Sequence, residues 1–163
     1  MENSIRDIFG YFMINQVICS ICRNPSERIE SFLDLQLEIT ASDSLEQALA
    51  TYTAPEVFHG SNQYKCNKCN VLVNATKTVG FVNGPQILSI QLKRFGINSN
   101  GSTTKDSHPV SFNEKLDINI TPSNSLDESN SHYTLVGVVC HAGARLGNGH
   151  YFSFLKSSTG NEW

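Results

Sequence analysis

The sequence predicts an α+β fold, mostly antiparallel β with one or two short helices. Three observations carry that expectation. Apolar and polar residues alternate strictly at 33–39, 88–93 and 116–120, the period of a half-buried strand. Only two stretches carry helical spacing. Two Cys-x-x-Cys pairs, Cys19/Cys22 and Cys66/Cys69, repeat one spacing at distant points of the chain, which marks a metal-tied subdomain. At 163 residues and 39% apolar content, the chain is long enough to bury a core of its own as one domain.

Taken in order, Ile5, Ile8, Phe9 and Phe12 predict a short amphipathic helix from Ser4 to Phe12, weakened by Gly10. Val17 to Cys22 leads into the first cysteine pair, and Arg23-Asn24-Pro25-Ser26 reads as a turn. Leu33, Leu35, Leu37 and Ile39 line one face of a strand. Ser44 with Gln47 makes a capping box that opens a helix through Tyr52, ended by Pro55. After the second cysteine pair, Val71 to Phe81 is extended, and Ile87 to Phe95 is the next strand. Asn98 to Ser107 is polar and reads as a surface loop. Leu116, Ile118 and Ile120 form a short strand, followed by a flexible loop from Thr121 to Ser131. Tyr133 to Cys140 is apolar on both faces, as a central strand would be. A loop carrying Gly143, Gly147 and Gly149 then enters the aromatic strand His150 to Leu155. Ser157 to Asn161 resembles a hairpin turn whose returning strand has barely begun at Trp163.

The bulk charge excludes some partners. A formal net charge of −3 argues against nucleic acid or an anionic membrane found by long-range electrostatics. The N-terminus has no basic n-region, and no apolar run approaches membrane-spanning length. Asn-x-Ser/Thr triplets begin at Asn74, Asn100 and Asn119, and without a secretory signal they read as chance matches. Five cysteines leave one over after the two pairs, which suits a disulfide framework poorly. Thiolate ligands prefer a reducing compartment, so the expected location is intracellular, in cytoplasm or nucleus.

Two sites follow from residue chemistry. Cys19, Cys22, Cys66 and Cys69 would complete a closed tetrahedral sphere around one structural Zn²⁺. The alternatives are buried free thiols or a redox Cys-x-x-Cys, and the latter would explain one pair and leave the other idle. His150 stands where a glycine-rich loop meets a strand, a favoured place for a general base. His59, His108, His132 and His141 rank below it. Cys140 precedes the same loop, so a hairpin there would set it against Gly149 or His150 across the strands. It nevertheless ends an apolar run with no cation or helix N-terminus to favour a thiolate, so an inert, buried thiol is the expectation.

Gly149-His150-Tyr151 with Phe152-Ser153-Phe154, placed after Tyr133 to His141, resembles the histidine box of ubiquitin-specific proteases. Gln91-Leu92-Lys93-Arg94-Phe95, Phe32-Leu33-Asp34-Leu35, Ser44 to Leu49, and Tyr64-Lys65-Cys66 with its partner Cys19 are similar to further motifs of that family, in its order. The resemblance implies a papain-like cysteine peptidase of thumb, palm and fingers that cleaves after the C-terminal glycine of ubiquitin. It implies zinc-binding fingers over about residues 13–80 and a palm with the histidine box over about 81–163. His150 matches the general base, and Cys19, Cys22, Cys66 and Cys69 match the zinc ligands. Ubiquitin and ubiquitinated proteins are the implied partners.

The chain departs from that pattern twice. No cysteine box precedes Ile5, and Trp163 falls short of the Asn or Asp that would orient the histidine. The expectation is therefore a partial catalytic domain, thumb missing: a fragment, partial gene model or degenerate copy, inactive alone. Two alternatives belong to other classes. One is a non-catalytic ubiquitin-binding pseudoenzyme, and the other is a zinc-ribbon interaction protein without chemistry.

Overall fold

The structure, a computed structural model, describes residues 2–120, 132–157, 159 and 162–163. The loop expected at 121–131 lies outside the described residues, as does most of the turn expected at 157–161. The first helix, α1 (Glu2–Phe9), ends sooner than its apolar spacing suggests, and Phe12 belongs to the following strand, β1 (Tyr11–Cys19). The break is steric. Gly10 N donates to Arg6 O at 2.8 Å, and a Cβ at position 10 would lie 2.3 Å from that oxygen. Only glycine lets the chain turn there.

β1 pairs antiparallel with β2 (Pro25–Phe32), whose first two residues fall in the turn expected at 23–26. β2 is an exposed edge strand. Pro25 stands at its first position, where a missing N–H does no harm, and Glu27, Arg28 and Glu30 face water. The strand expected at 33–39 shortens to β3 (Leu35–Leu37), with Leu35, Leu37 and Ile39 all buried. Helix α2 (Leu45–Thr53) opens as expected: the Ser44 hydroxyl accepts from Gln47 N at 3.1 Å. The return bond of the capping box falls one residue early, because Gln47 Oε1 accepts from Asp43 N. After β4 (Glu56–Phe58), the small ladder β5 (Tyr64–Lys65) with β6 (Leu72–Val73) brackets the second cysteine pair. β7 (Ala75–Phe81) then completes a four-stranded sheet of order β2-β1-β7-β4.

The core sits where this sheet, α2 and β3 meet. Tyr11, Met13, Leu35, Leu37, Ile39, Leu49, Phe81 and Ile118 are buried in one cluster. Each large apolar side chain so buried contributes roughly 1.5–3 kcal/mol. Tyr11 keeps its hydroxyl satisfied by donating to Asp34 O at 2.9 Å, and burial pushes its ionisation far above the usual range. A second cluster, Cys19, Cys66 and Val73 with Cys22, Tyr64 and Cys69 packed on it, lies apart from the first.

The strand expected over Ile87 to Phe95 is two. β8 (Ile90–Leu92) runs parallel to β3, with Leu35 opposite Ile90 and Leu37 opposite Leu92, an exception to the antiparallel rule. The chain turns at Lys93-Arg94 into β9 (Phe95–Ile97). β10 (Thr103–Lys105) pairs with β9, so the stretch expected as a surface loop is largely a hairpin. β11 (Lys115–Asp117) pairs with β12 (His132–Thr134), and β13 (Gly137–Arg145) pairs with β14 (Asn148–Leu155). The apolar run from Tyr133 to Cys140 is thus not one central strand. It breaks at Leu135-Val136 and ends in a two-stranded hairpin whose β14 is exposed throughout. Among the described residues, no helix is long and apolar enough to cross a membrane.

Candidate functional site

The four cysteines expected as ligands come together. β1 delivers Cys19 at its end and the following turn carries Cys22, while the turn between β5 and β6 carries Cys66 and Cys69. All four sulfurs lie within 4.8 Å of one another, with Cys19 Sγ 3.9 Å from Cys69 Sγ and Cys22 Sγ 3.7 Å from Cys66 Sγ. Zn–S bonds of about 2.3 Å arranged tetrahedrally place sulfurs about 3.8 Å apart, so the cage fits that ion. Backbone N–H groups point at the sulfurs in both turns: Ile21 and Cys22 at Cys19 Sγ, and Cys69 at Cys66 Sγ. The Cys22 N–H foremost, with the Ile21 N–H, draws the Cys19 thiol down to about 6 despite burial. Cys69 is pushed up to about 12, first by its hydrogen bond with Cys22 and then by burial. Four thiols in one space cannot all ionise unless a cation joins them.

Both turns close in the same way. Arg23 N donates to Cys19 O at 3.0 Å and Asn70 N to Cys66 O at 2.8 Å, which puts Arg23 (φ 56°) and Asn70 (φ 57°) in the left-handed region. Asparagine adopts that conformation more readily than arginine, which pays a steric cost there. Arg23→Gly should therefore stabilise the metal-loaded protein by roughly 0.5–1 kcal/mol, the left-handed penalty less glycine's extra chain entropy. Denaturant unfolding checks this, and an unchanged or lower midpoint counts against the strain.

His150 projects from β14 directly opposite Ala142, and it is exposed. Among the described residues, no hydrogen bond holds its ring. Cys140 stands opposite Phe152 instead of Gly149 or His150, which corrects the expectation of a direct cross-strand meeting. It shares a face with His150 only as a diagonal neighbour, roughly 7–8 Å away, too far for proton transfer. The thiol is half-buried, not fully buried. His141 lies on the other face, between Phe95 and Tyr151. An open depression lined by Glu46, Leu49, Phe81, Asn113, Lys115 and Ile118 lies elsewhere and includes none of these residues.

The sequence pattern of the family described as "Ubiquitin carboxyl-terminal hydrolase" matches residues 1–163. The chain belongs to that family. Ubiquitin carboxyl-terminal hydrolase 25 of Arabidopsis thaliana is 34% identical over 156 residues, 96% of this chain and 23% of the relative. Ubiquitin carboxyl-terminal hydrolase 42 of Homo sapiens is 36% identical over 153 residues, 94% of this chain and 11% of the relative. Among solved structures, the SAGA Ubp8/Sgf11/Sus1/Sgf73 DUB module bound to ubiquitin aldehyde superposes with a TM-score of 0.81. The identity there is 31%, over 96% of this chain and 35% of the matched chain. The chain thus spans about a third or less of the proteins it matches. The ubiquitin-specific protease fold expected from the motifs is the one observed.

One functional-looking cluster in this hydrolase-family chain escaped the sequence reading. His108 Nδ1 lies 2.7 Å from Asp106 Oδ1, and Nε2 lies 3.0 Å from Ser42 O, so both ring nitrogens face acceptors. Only an imidazolium donates from both. The Ser42 carbonyl first, and the Asp106 carboxylate next, raise the His108 pKa above its ordinary value. The His108 backbone N–H, then its ring, hold Asp106 below the usual carboxylate range. Since the folded value of His108 is raised, its stabilisation is complete below about pH 6.5 and fades as pH climbs through the folded value. The Asp106 contribution is present above about pH 4 and fades as pH falls through its folded value. Urea midpoints of the unaltered protein should thus carry a downward step as pH rises above about 6.5 that is absent in His108→Gln. An identical step in both proteins would remove His108 as its source.

Proposed function

We propose that this chain is the fingers-and-palm portion of a ubiquitin-specific protease, with fingers over about residues 13–80 and palm over about 81–163. In this reading the portion serves hydrolysis of the bond after ubiquitin's C-terminal glycine, and His150 is the general base. The observation that carries it is an exposed imidazole at the turn end of an aromatic hairpin, in a chain of this family. The mechanism is thiol-dependent acyl transfer. His150 takes the proton of a cysteine thiol, and sulfur bonds to the glycine carbonyl carbon. The C–N bond then breaks, with the imidazolium returning the proton to the leaving amine. Water attacks the thioester by the same route and frees ubiquitin's carboxylate.

Cys19, Cys22, Cys66 and Cys69 would hold Zn²⁺, which supplies no chemistry beyond cross-linking two turns. Their thiolates suit a reducing compartment, so the protein works inside the cell. Ubiquitin and ubiquitinated proteins are the partners, the fingers gripping ubiquitin's body.

Cys140 is the one cysteine outside the metal cage, and its place opposite Phe152 gives it no base. That favours, for these residues taken alone, binding of ubiquitin without cleavage. The zinc-loaded chain should therefore leave a ubiquitin C-terminal fluorogenic amide intact while binding free ubiquitin. Cleavage that persists in Cys140→Ser would overturn the assignment of roles, and cleavage abolished by it would make Cys140 the nucleophile.

A further inference from the structure

The hairpin β13–β14 is a poor candidate to hold a catalytic side chain still. A two-stranded hairpin is marginal by itself in water. Val139, Tyr151 and Leu155 are exposed, and its strands fall out of register between Ala142 and Arg145. At its open end it is tied to the body through Glu114, which accepts from Leu135 N and pairs with Lys156. Its turn end, where His150 sits, is tied by Lys105.

The Lys105 ammonium donates to His141 O at 2.8 Å, to Gly143 O at 2.7 Å and to His141 Nδ1 at 3.2 Å. Three donors meet three acceptors, over the Phe95 ring at 5.9 Å. The carbonyls are informative. Val136 O accepts from Lys156 N on the β14 side. Alternate carbonyls point to opposite edges, so His141 O faces the edge that β14 leaves free. Lys105 caps that edge beside the irregular register. It also fixes the His141 ring, because lysine only donates and Nδ1 must accept. The ring in turn occupies the space beside Gly149: a Cβ there would lie 2.2 Å from His141 Nε2. With Ala142 O only 2.7 Å from the same Cβ, the close approach of His141 leaves room for glycine alone immediately before His150.

We propose that Lys105 is a positioning residue for His150. It pins one face and edge of the hairpin through His141 and Gly143, and His150 is thereby held on the opposite face. The inference rests on the reading of His150 as general base, but its test does not depend on activity. Nuclear magnetic resonance of the zinc-loaded chain would compare Lys105→Met with the unaltered protein. The imidazole signals of His150 should shift and broaden, and amide exchange from Gly147 to Tyr151 should quicken about ten-fold or more. Zinc content and the amides of β1 and β7 should stay within about two-fold of the parent. Lys105→Arg, which keeps charge and donors, should restore most of the protection. Unmoved His150 signals with unchanged exchange would overturn the proposal. So would loosening spread equally through β1 and β7, since Lys105 would then be a general structural residue. Should Lys105→Met not fold, Lys105→Gln, which keeps an amide donor, is read by the same criteria. A catalytically silent His150→Ala in a longer enzyme would sink the base assignment and leave these signals as they are.

Discussion

Cys66→Ser should strip the protein of zinc and melt the region around the metal while the main core survives. The expectation follows from two features of the fold. Cys66 is buried in a small cluster with Cys19 and Val73 that shares no member with the core around Tyr11, Leu37 and Phe81. Apart from the thiols, that cluster offers little apolar area, and β5 and β6 are two residues each. The metal has to supply what burial does not. Structural zinc binding is worth roughly 10–16 kcal/mol in small finger peptides near neutral pH, and it is folding free energy there. Hydroxyl for thiolate removes a ligand that zinc requires. Metal analysis should fall from about one zinc per chain toward none. Amide exchange should rise by orders of magnitude from Tyr64 to Val73 and at the Cys19 end of β1, with far smaller changes near Tyr11. Full zinc and a protected β5–β6 ladder in Cys66→Ser would refute the four-thiolate site. Acid should imitate the mutation, because protons compete with the metal for every sulfur.

Chemistry at short range was the most legible part of the sequence. Paired cysteines at equal spacing, a capping serine, and alternation at 35–39 each act over a few residues, and the structure carries all of them. Elements whose signals conflict were misread. β2 begins with proline and exposes charges, both turn-like in sequence and both natural to an edge strand. β10 hides in a Gly/Ser/Asn stretch because what marks it as a strand is its partner β9, with Lys105 opposite Phe95, and not its own composition. The Tyr133 to Cys140 run states what a strand can bury and says nothing about which strand lies beside it. Long-range polar ties left no local trace. Lys105 meets His141 across 36 positions, and His108 meets Ser42 across 66. His108 and Lys105 read as ordinary loop residues until the fold brings those partners together.

In a ubiquitin-specific protease that contains this chain and supplies a thiol, His150→Ala should slow cleavage by orders of magnitude and leave ubiquitin affinity nearly unchanged. The separation of the two effects follows from where His150 sits. It is exposed at the turn end of a two-stranded hairpin, outside both buried clusters, so its removal opens no cavity and strands no buried polar group. Binding energy in this reading comes from the zinc-tied region, whose buried cluster does not include His150. The rate loss has a calculable scale: proton transfer by a positioned base contributes about 10²–10⁴-fold. A thiol without that base is mostly un-ionised near neutral pH and attacks the glycine carbonyl poorly. The leaving amine would also depart without its proton. Initial rates on a ubiquitin C-terminal amide should therefore drop by about 10²-fold or more, while calorimetric titration with ubiquitin gives the parent's affinity. His150→Gln should do no better, since an amide occupies similar space but carries no titratable nitrogen. Full activity in either variant would remove His150 from the chemistry. Loss of ubiquitin binding in step with loss of rate would instead make His150 part of the binding surface.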